Sequence, residues 1–132
     1  MKTAKQLLLA YLENIKDADT IISLFTNDAA IELPYLASLD KPWRWEGRDV
    51  LYNFIKNLPN AYENFAFKNI KILIDTPDQV FAEYEIETVF LKTGKIYHQT
   101  YMGRLVAENG KIKLLREGLD LVAVKKAFTS ES

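Results

Sequence analysis

The chain has 132 residues, 48% hydrophobic and 27% charged, with 17 basic against 18 acidic side chains and no cysteine. That length fits one globular domain able to bury its own core. A net charge of −1 without a basic block gives no footprint for nucleic acid or an anionic membrane. The missing cysteine excludes disulfides, thiol nucleophiles and thiolate metal sites.

Residues 2–15 predict an amphipathic helix, with Leu8 and Leu12 repeating at i, i+4 and Leu7, Tyr11 and Ile15 repeating beside them. The apolar run around Leu7–Leu9 is too short for a signal peptide, and no stretch approaches the roughly 20 apolar residues of a membrane span. The cytoplasm is therefore the expected compartment. Asp17 offers an N-cap for a short second helix, Thr20 to Phe25. Thr26-Asn27-Asp28 reads as a turn, and Ala29 to Leu33 as a short strand ended by Pro34. Residues 34–47 read as a long loop carrying Tyr35, Trp43 and Trp45. A third helix follows from Asp49 to Leu58, with Leu51, Phe54, Ile55 and Leu58 on one face.

After Glu63 the period becomes two. Strands are expected from Phe65 to Ile74, Val80 to Leu91, Ile96 to Glu108 and Lys111 to Leu119, joined by turns at Thr76-Pro77-Asp78, Lys92-Thr93-Gly94 and Asn109-Gly110. Asn-Gly is the preferred pair for a type I′ hairpin. A short helix, Leu121 to Phe128, comes last. Helices segregated from a run of strands give an α+β fold. We expect a curved, mixed but mainly antiparallel sheet with three N-terminal helices on its concave face. Three helices cover one face of such a sheet; the other carries apolar residues too and is expected to pack on a second copy, making a homodimer.

In order and spacing, Asp17 to Phe25, Ile31 to Tyr35 and Glu46-Gly47-Arg48, followed by Thr93-Gly94, Tyr97, Gln99, Tyr101, Gly110-Lys111-Ile112, Arg116-Glu117 and Asp120, form a recognisable pattern. The chain resembles the SnoaL-like (polyketide cyclase-like) family of the nuclear-transport-factor-2-like, or ketosteroid-isomerase-like, superfamily. The resemblance spans essentially the whole chain. It implies a cone-shaped α+β barrel with a pocket between sheet and helices, and usually a dimer through the sheets. It does not fix a function, because this fold hosts cyclases, isomerases, hydrolases and non-enzymatic modules.

The resemblance places Asp120 where SnoaL-like cyclases carry an acid/base aspartate; from the sequence it serves equally as the N-cap of the last helix. Arg116 would bind a carboxylate or enolate oxygen, or else pair with a glutamate of a neighbouring strand. Gln99 and Tyr101 share a strand face and are candidate pocket groups, with sheet packing as the alternative. His98 takes the opposite face; it is counted with the pocket, against a structural or solvent-facing role. No second histidine or acidic cluster accompanies it, so no metal is expected. Glu83, Glu85 and Glu87 share a face that is expected to be solvated or ion-paired. Tyr35, Trp43 and Trp45 would form an aromatic lid, with loop anchoring or a dimer contact as the alternative, and Phe54 would line the pocket. Tyr11 aligns with the tyrosine that ketosteroid isomerases use as an oxyanion donor, with a core role as its alternative. Leu33 and Met102 stand where those isomerases carry their base and second acid, so steroid isomerisation is not expected. The expected function is binding of a small apolar or aromatic ligand, with cofactor-free acid/base chemistry (cyclisation or isomerisation through an enolate of a ketone-type substrate) by Asp120, Arg116, Gln99 and Tyr11. The alternative is a non-catalytic ligand-binding or dimerisation module.

Overall fold

The computed structural model describes residues 1–130. Helix α1 (Ala4–Glu13) opens with a capping box in which Thr3 and Gln6 exchange side-chain and backbone hydrogen bonds. Asp17 caps the short α2 (Ala18–Ile22) through the Thr20 amide. Strand β1 (Phe25–Glu32) then runs through the residues expected to turn. Phe25 pairs with Ile112 and Ala30 with Leu114, and the register shift between those pairs absorbs the polar Thr26-Asn27-Asp28 as a bulge. The expected loop at 34–47 contains a 3-10 helix (Pro34–Leu39) and a three-residue strand β2 (Arg44–Glu46) that pairs with β1. Helix α3 spans Arg48–Asn57. Strands β3 (Phe67–Asp75), β4 (Gln79–Phe90), β5 (Lys95–Glu108) and β6 (Lys111–Leu119) form the meander, and α4 (Leu121–Phe128) ends the chain's helices.

The sheet has six strands in the order β2-β1-β6-β5-β4-β3, antiparallel except where β1 runs parallel to β6. Asn109 and Gly110 both take positive φ, +52° and +77°, as the type I′ turn between β5 and β6 requires. Asn69 is also left-handed and marks the register shift in β3. The helices pack on one face, so the fold is the α+β arrangement the sequence predicts.

Alternation decides which side chains meet the helices. Val80, Ala82, Tyr84 and Ile86 of β4, Tyr97, Gln99, Tyr101 and Leu105 of β5, and Ile112, Leu115 and Glu117 of β6 are buried. They pack on Leu7, Leu8, Tyr11 and Leu12 of α1 and on Leu51 and Ile55 of α3. Burying each large apolar side chain contributes about 1.5–3 kcal/mol. A buried polar pair ties three strands of this core together. Tyr84 reaches across β5 and donates its hydroxyl to the Glu117 carboxyl on β6. It crosses at Gly103, the partner of Glu117 in the β5–β6 register. A Cβ on Gly103 would run into the Tyr84 hydroxyl and stand 2.9 Å from its Cζ. Gly103→Ala should therefore push the tyrosine off its acid and cost about 2 kcal/mol or more, since it leaves a buried carboxyl without its donor; chemical denaturation reads this as a lower midpoint at constant slope.

Candidate functional site

A cavity of about 290 Å³ lies between the sheet, the 3-10 helix, α3 and α4. Leu33, Leu36, Lys41, Trp45, Phe54, Leu58, Tyr62, Tyr97, Tyr101, Leu119, Val124 and Phe128 line it, with Pro42. Its volume is at the small end of ligand pockets, about 300–1,000 Å³. The walls are built from aromatic pairs. Trp45 stacks on Phe54 with ring centroids 4.0 Å apart, and Tyr62 stacks on Tyr97 at 5.6 Å. Phe128 sets its edge against Tyr97 at 5.3 Å and stacks on Phe90 at 4.0 Å.

The polar groups of the site begin at Gln99. Its amide donates to the Tyr97 hydroxyl at 2.8 Å and to the Asp120 carbonyl at 3.0 Å, while its oxygen accepts the Asp120 amide at 2.6 Å. One buried side chain thus orients the cavity phenol and fixes the start of α4. Burial pushes the Tyr97 hydroxyl above its ordinary range; hydrogen bonds from Gln99 and Tyr101 oppose that rise and the charges of Asp120 and Glu117 add to it. Burial also raises Tyr62, Tyr101, Tyr84 and Tyr11. Glu117 stands behind this layer of phenols. Burial raises its carboxyl to about 7, against which the Tyr84 hydrogen bond acts in the lowering direction.

The structure brings together part of the predicted set. Tyr101, Trp45 and Phe54 line the cavity, and Gln99 buttresses it from within the core. Asp120 caps α4: its Oδ1 accepts the Val122 amide at 2.9 Å and the Ala123 amide at 3.2 Å, and the residue is exposed. Among the described residues Oδ2 has no hydrogen-bond donor, and the carboxylate is near enough to Tyr97 to bias that hydroxyl. Tyr11 is a core residue, 2% exposed, with its ring edge-on to Phe25.

Three expected site residues instead belong to the outer face of the sheet. Arg116 pairs with Glu32 at 2.6 Å, the alternative foreseen for it, and Arg44 holds the other oxygen of that carboxylate. His98 meets Glu85 at 2.8 Å. Tyr35 is 59% exposed and lies over Gly118. Strand parity is the cause: odd-numbered residues of β5 and β6 face the helices here, so Gln99, Tyr101 and Glu117 go in while His98 and Arg116 go out. Trp43 is half-buried and is not part of the cavity wall.

Sequence reasoning passed over Glu117, Tyr62, Lys41 and Phe128. Glu117 had a signal, since Leu115, Glu117 and Leu119 share one parity and two of the three are apolar. The others are brought in by the 3-10 helix, by a turn after α3 and by the far end of α4, none of which has a periodic signature.

Residues 8–115 match the SnoaL-like domain family. The chain belongs to that family. Its relatives include the uncharacterized protein YesE of Bacillus subtilis (strain 168), 27% identical over 128 residues covering 96% of this chain and 85% of that protein. A Bacillus subtilis protein whose crystal structure is described as a "Putative Isomerase" superposes with a TM-score of 0.83 at 26% identity, over 95% of this chain and 91% of that one. TerC, co-crystallised with polyporic acid, superposes with a TM-score of 0.77 at 16% identity, over 94% of this SnoaL-like chain and 96% of its own. Among the described residues no helix is long and apolar enough to cross a membrane.

The buried acid gives a pH dependence whose sign follows from linkage. The folded state holds the Glu117 proton up to about pH 7, against an ordinary glutamate value of 4.5. Its contribution to stability is complete below the unfolded value and is lost as pH rises to about 7, on the order of 3 kcal/mol in all. Thermal melts from pH 4 to 8 should therefore show the wild-type melting temperature falling through this window relative to Glu117→Gln, which still accepts from Tyr84 and does not ionise.

Proposed function

We propose that the protein binds one small, flat, mostly apolar molecule in the cavity between the 3-10 helix, α3, α4 and β5. The observation that carries this is the wall of stacked rings, Trp45 on Phe54 and Tyr62 on Tyr97, closed by a phenol whose orientation Gln99 fixes. Flat aromatic faces favour offset stacking with a planar ligand, and one oriented hydroxyl in an apolar wall gives that ligand a direction. The crystallisation of TerC with polyporic acid supports the same use of the fold.

A cofactor-free acid/base reaction is the second reading, and two observations favour it. Among the described residues Asp120 keeps one carboxylate oxygen without a donor and its charge acts on the Tyr97 hydroxyl, and Glu117, whose carboxyl burial raises to about 7, backs the phenol layer. In this reading the substrate is a ketone. A proton leaves the carbon next to its carbonyl for Asp120, the electron pair moves onto the carbonyl oxygen, and Tyr97 donates a hydrogen bond to the resulting enolate. The enolate carbon then takes the proton back from Asp120, or adds to a second carbonyl carbon of the substrate, whose π pair moves to its oxygen and takes the proton from Asp120. Arg116, held by Glu32 on the other face, takes no part.

Calorimetric titration with bicyclic aromatic ketones should show saturable binding, weakened about tenfold or more in Phe54→Ala; no binding by any of them removes the first reading. With a bound ketone in D2O, exchange of its α-protons followed by NMR should occur in the wild type and vanish in Asp120→Asn, which retains a good cap residue and hence the stability of α4. Exchange that persists in the variant removes Asp120 as the base.

The homodimer is proposed through the outer face. Ile96 is 72% exposed and Met102 47%, and a groove of about 640 Å³ runs beside Tyr35, Phe81, Met102, Arg104 and Arg116. Light scattering should return twice the chain mass for the wild type and the single-chain mass for Met102→Glu, whose charge would be buried by the contact.

A further inference from the structure

Among the described residues the cavity has one basic side chain in its wall. Lys41 follows Asp40, which ends the 3-10 helix in the left-handed conformation at φ 56°. The Lys41 amide donates to the Leu36 carbonyl at 3.2 Å, which anchors the residue at the rim. Its ammonium stands 5.5 Å from the centroid of the Phe128 ring, itself part of the cavity wall. Elsewhere Arg44, Arg116 and Lys113 are spent on carboxylates. Lys41 has no carboxylate partner among the described residues. At the β5 end of the cavity the charge has the opposite sign: Gln99, which donates to the Tyr97 hydroxyl, also clamps the backbone of Asp120, whose carboxylate acts on that phenol.

An aromatic cage with a cation at its mouth and an acidic end beyond its phenols is polarised along its length. We infer that the ligand is an aromatic acid, a flat ring system carrying one carboxylate or comparably acidic group that pairs with the Lys41 ammonium. This rests on the small-molecule reading above and deepens it. The rings lie between the Trp45–Phe54 and Tyr62–Tyr97 stacks. The anion stays at the mouth, where water still reaches it and its desolvation cost is small. A neutral hydroxyl or carbonyl on the far edge meets Tyr97. The reverse orientation would bring the anion towards the Asp120 carboxylate and is disfavoured by like-charge repulsion. The Phe128 ring beneath the ammonium favours its position at the rim.

The test compares an acid with its neutral isostere on the intact protein. Calorimetry at low salt is run with 2-naphthoate and with 2-naphthamide, on wild type, Lys41→Met and Lys41→Arg. The wild type should prefer naphthoate by about fivefold, the size expected for a partly exposed ion pair, and 0.5 M salt should erase most of that preference. In Lys41→Met the ratio of the two affinities should fall to about one, and Lys41→Arg should restore it. Equal binding of both compounds by the wild type overturns the acid assignment and leaves the cavity reading standing. A naphthoate preference that survives in Lys41→Met overturns it as well, because another cation is then responsible. If neither compound binds the wild type, the cavity reading fails and this inference fails with it.

Discussion

The buried hydrogen bond from Tyr84 to Glu117 sets the terms for the middle of this fold. A carboxyl among leucines and phenols is costly unless it is neutral or well bonded, and here one donor reaches it. Three strands must agree for that contact to exist. β4 supplies the tyrosine, β6 supplies the acid, and β5 must offer a gap between them, which Gly103 provides. A slip of one residue in either pairing would turn one of these groups to the outer face. The pair therefore fixes register in the part of the sheet that also holds Tyr97, Gln99 and Tyr101 against the helices.

From that register follows the division of labour between the two faces. The inner face keeps phenols, an amide and a neutral acid in a water-poor setting. The outer face takes the formal charges: Arg116 and Arg44 on Glu32, His98 on Glu85, Lys71 near Glu83. Between these polar clusters it leaves exposed apolar side chains at Ile96 and Met102. One face is thus mostly aromatic and water-poor, and the other is charged with apolar side chains between the charges.

Much of the fold was legible in the sequence because its elements are periodic and punctuated. The leucines of α1, the alternation from Val80 to Leu119, the Asn109-Gly110 hairpin and the aspartate caps at Asp17 and Asp120 each state their role locally. The segments that misled are those where pairing partners decide. Thr26-Asn27-Asp28 has turn chemistry and becomes a bulge because Phe25 and Ala30 both pair with β6. Residues 34–47 have loop composition and still contain a strand, because β1 needs an edge partner. At the site, the hardest feature to read was depth. Asp120 and Arg116 look chemical and lie at the surface, whereas Glu117, adjacent to Arg116, lies in the core. A one-residue offset separates the two environments, and residue identity alone does not reveal it; the parity of Leu115 and Leu119 does.

The last helix is attached differently from the rest. It packs mainly on β5. Its beginning is pinned by the Gln99 clamp, and its end by Thr93 and Lys95, which donate to the Ala127 and Thr129 carbonyls at 2.5 and 2.6 Å. Between the pins, Val124 and Phe128 face the cavity. Such a segment behaves as a separate panel: its two fastenings belong to the sheet, while the bulk it turns to the cavity is set by Val124 and Phe128. Descendants of this scaffold could therefore change the shape of the molecule they hold by altering two positions on one short helix, leaving the three-strand agreement at Gly103 untouched.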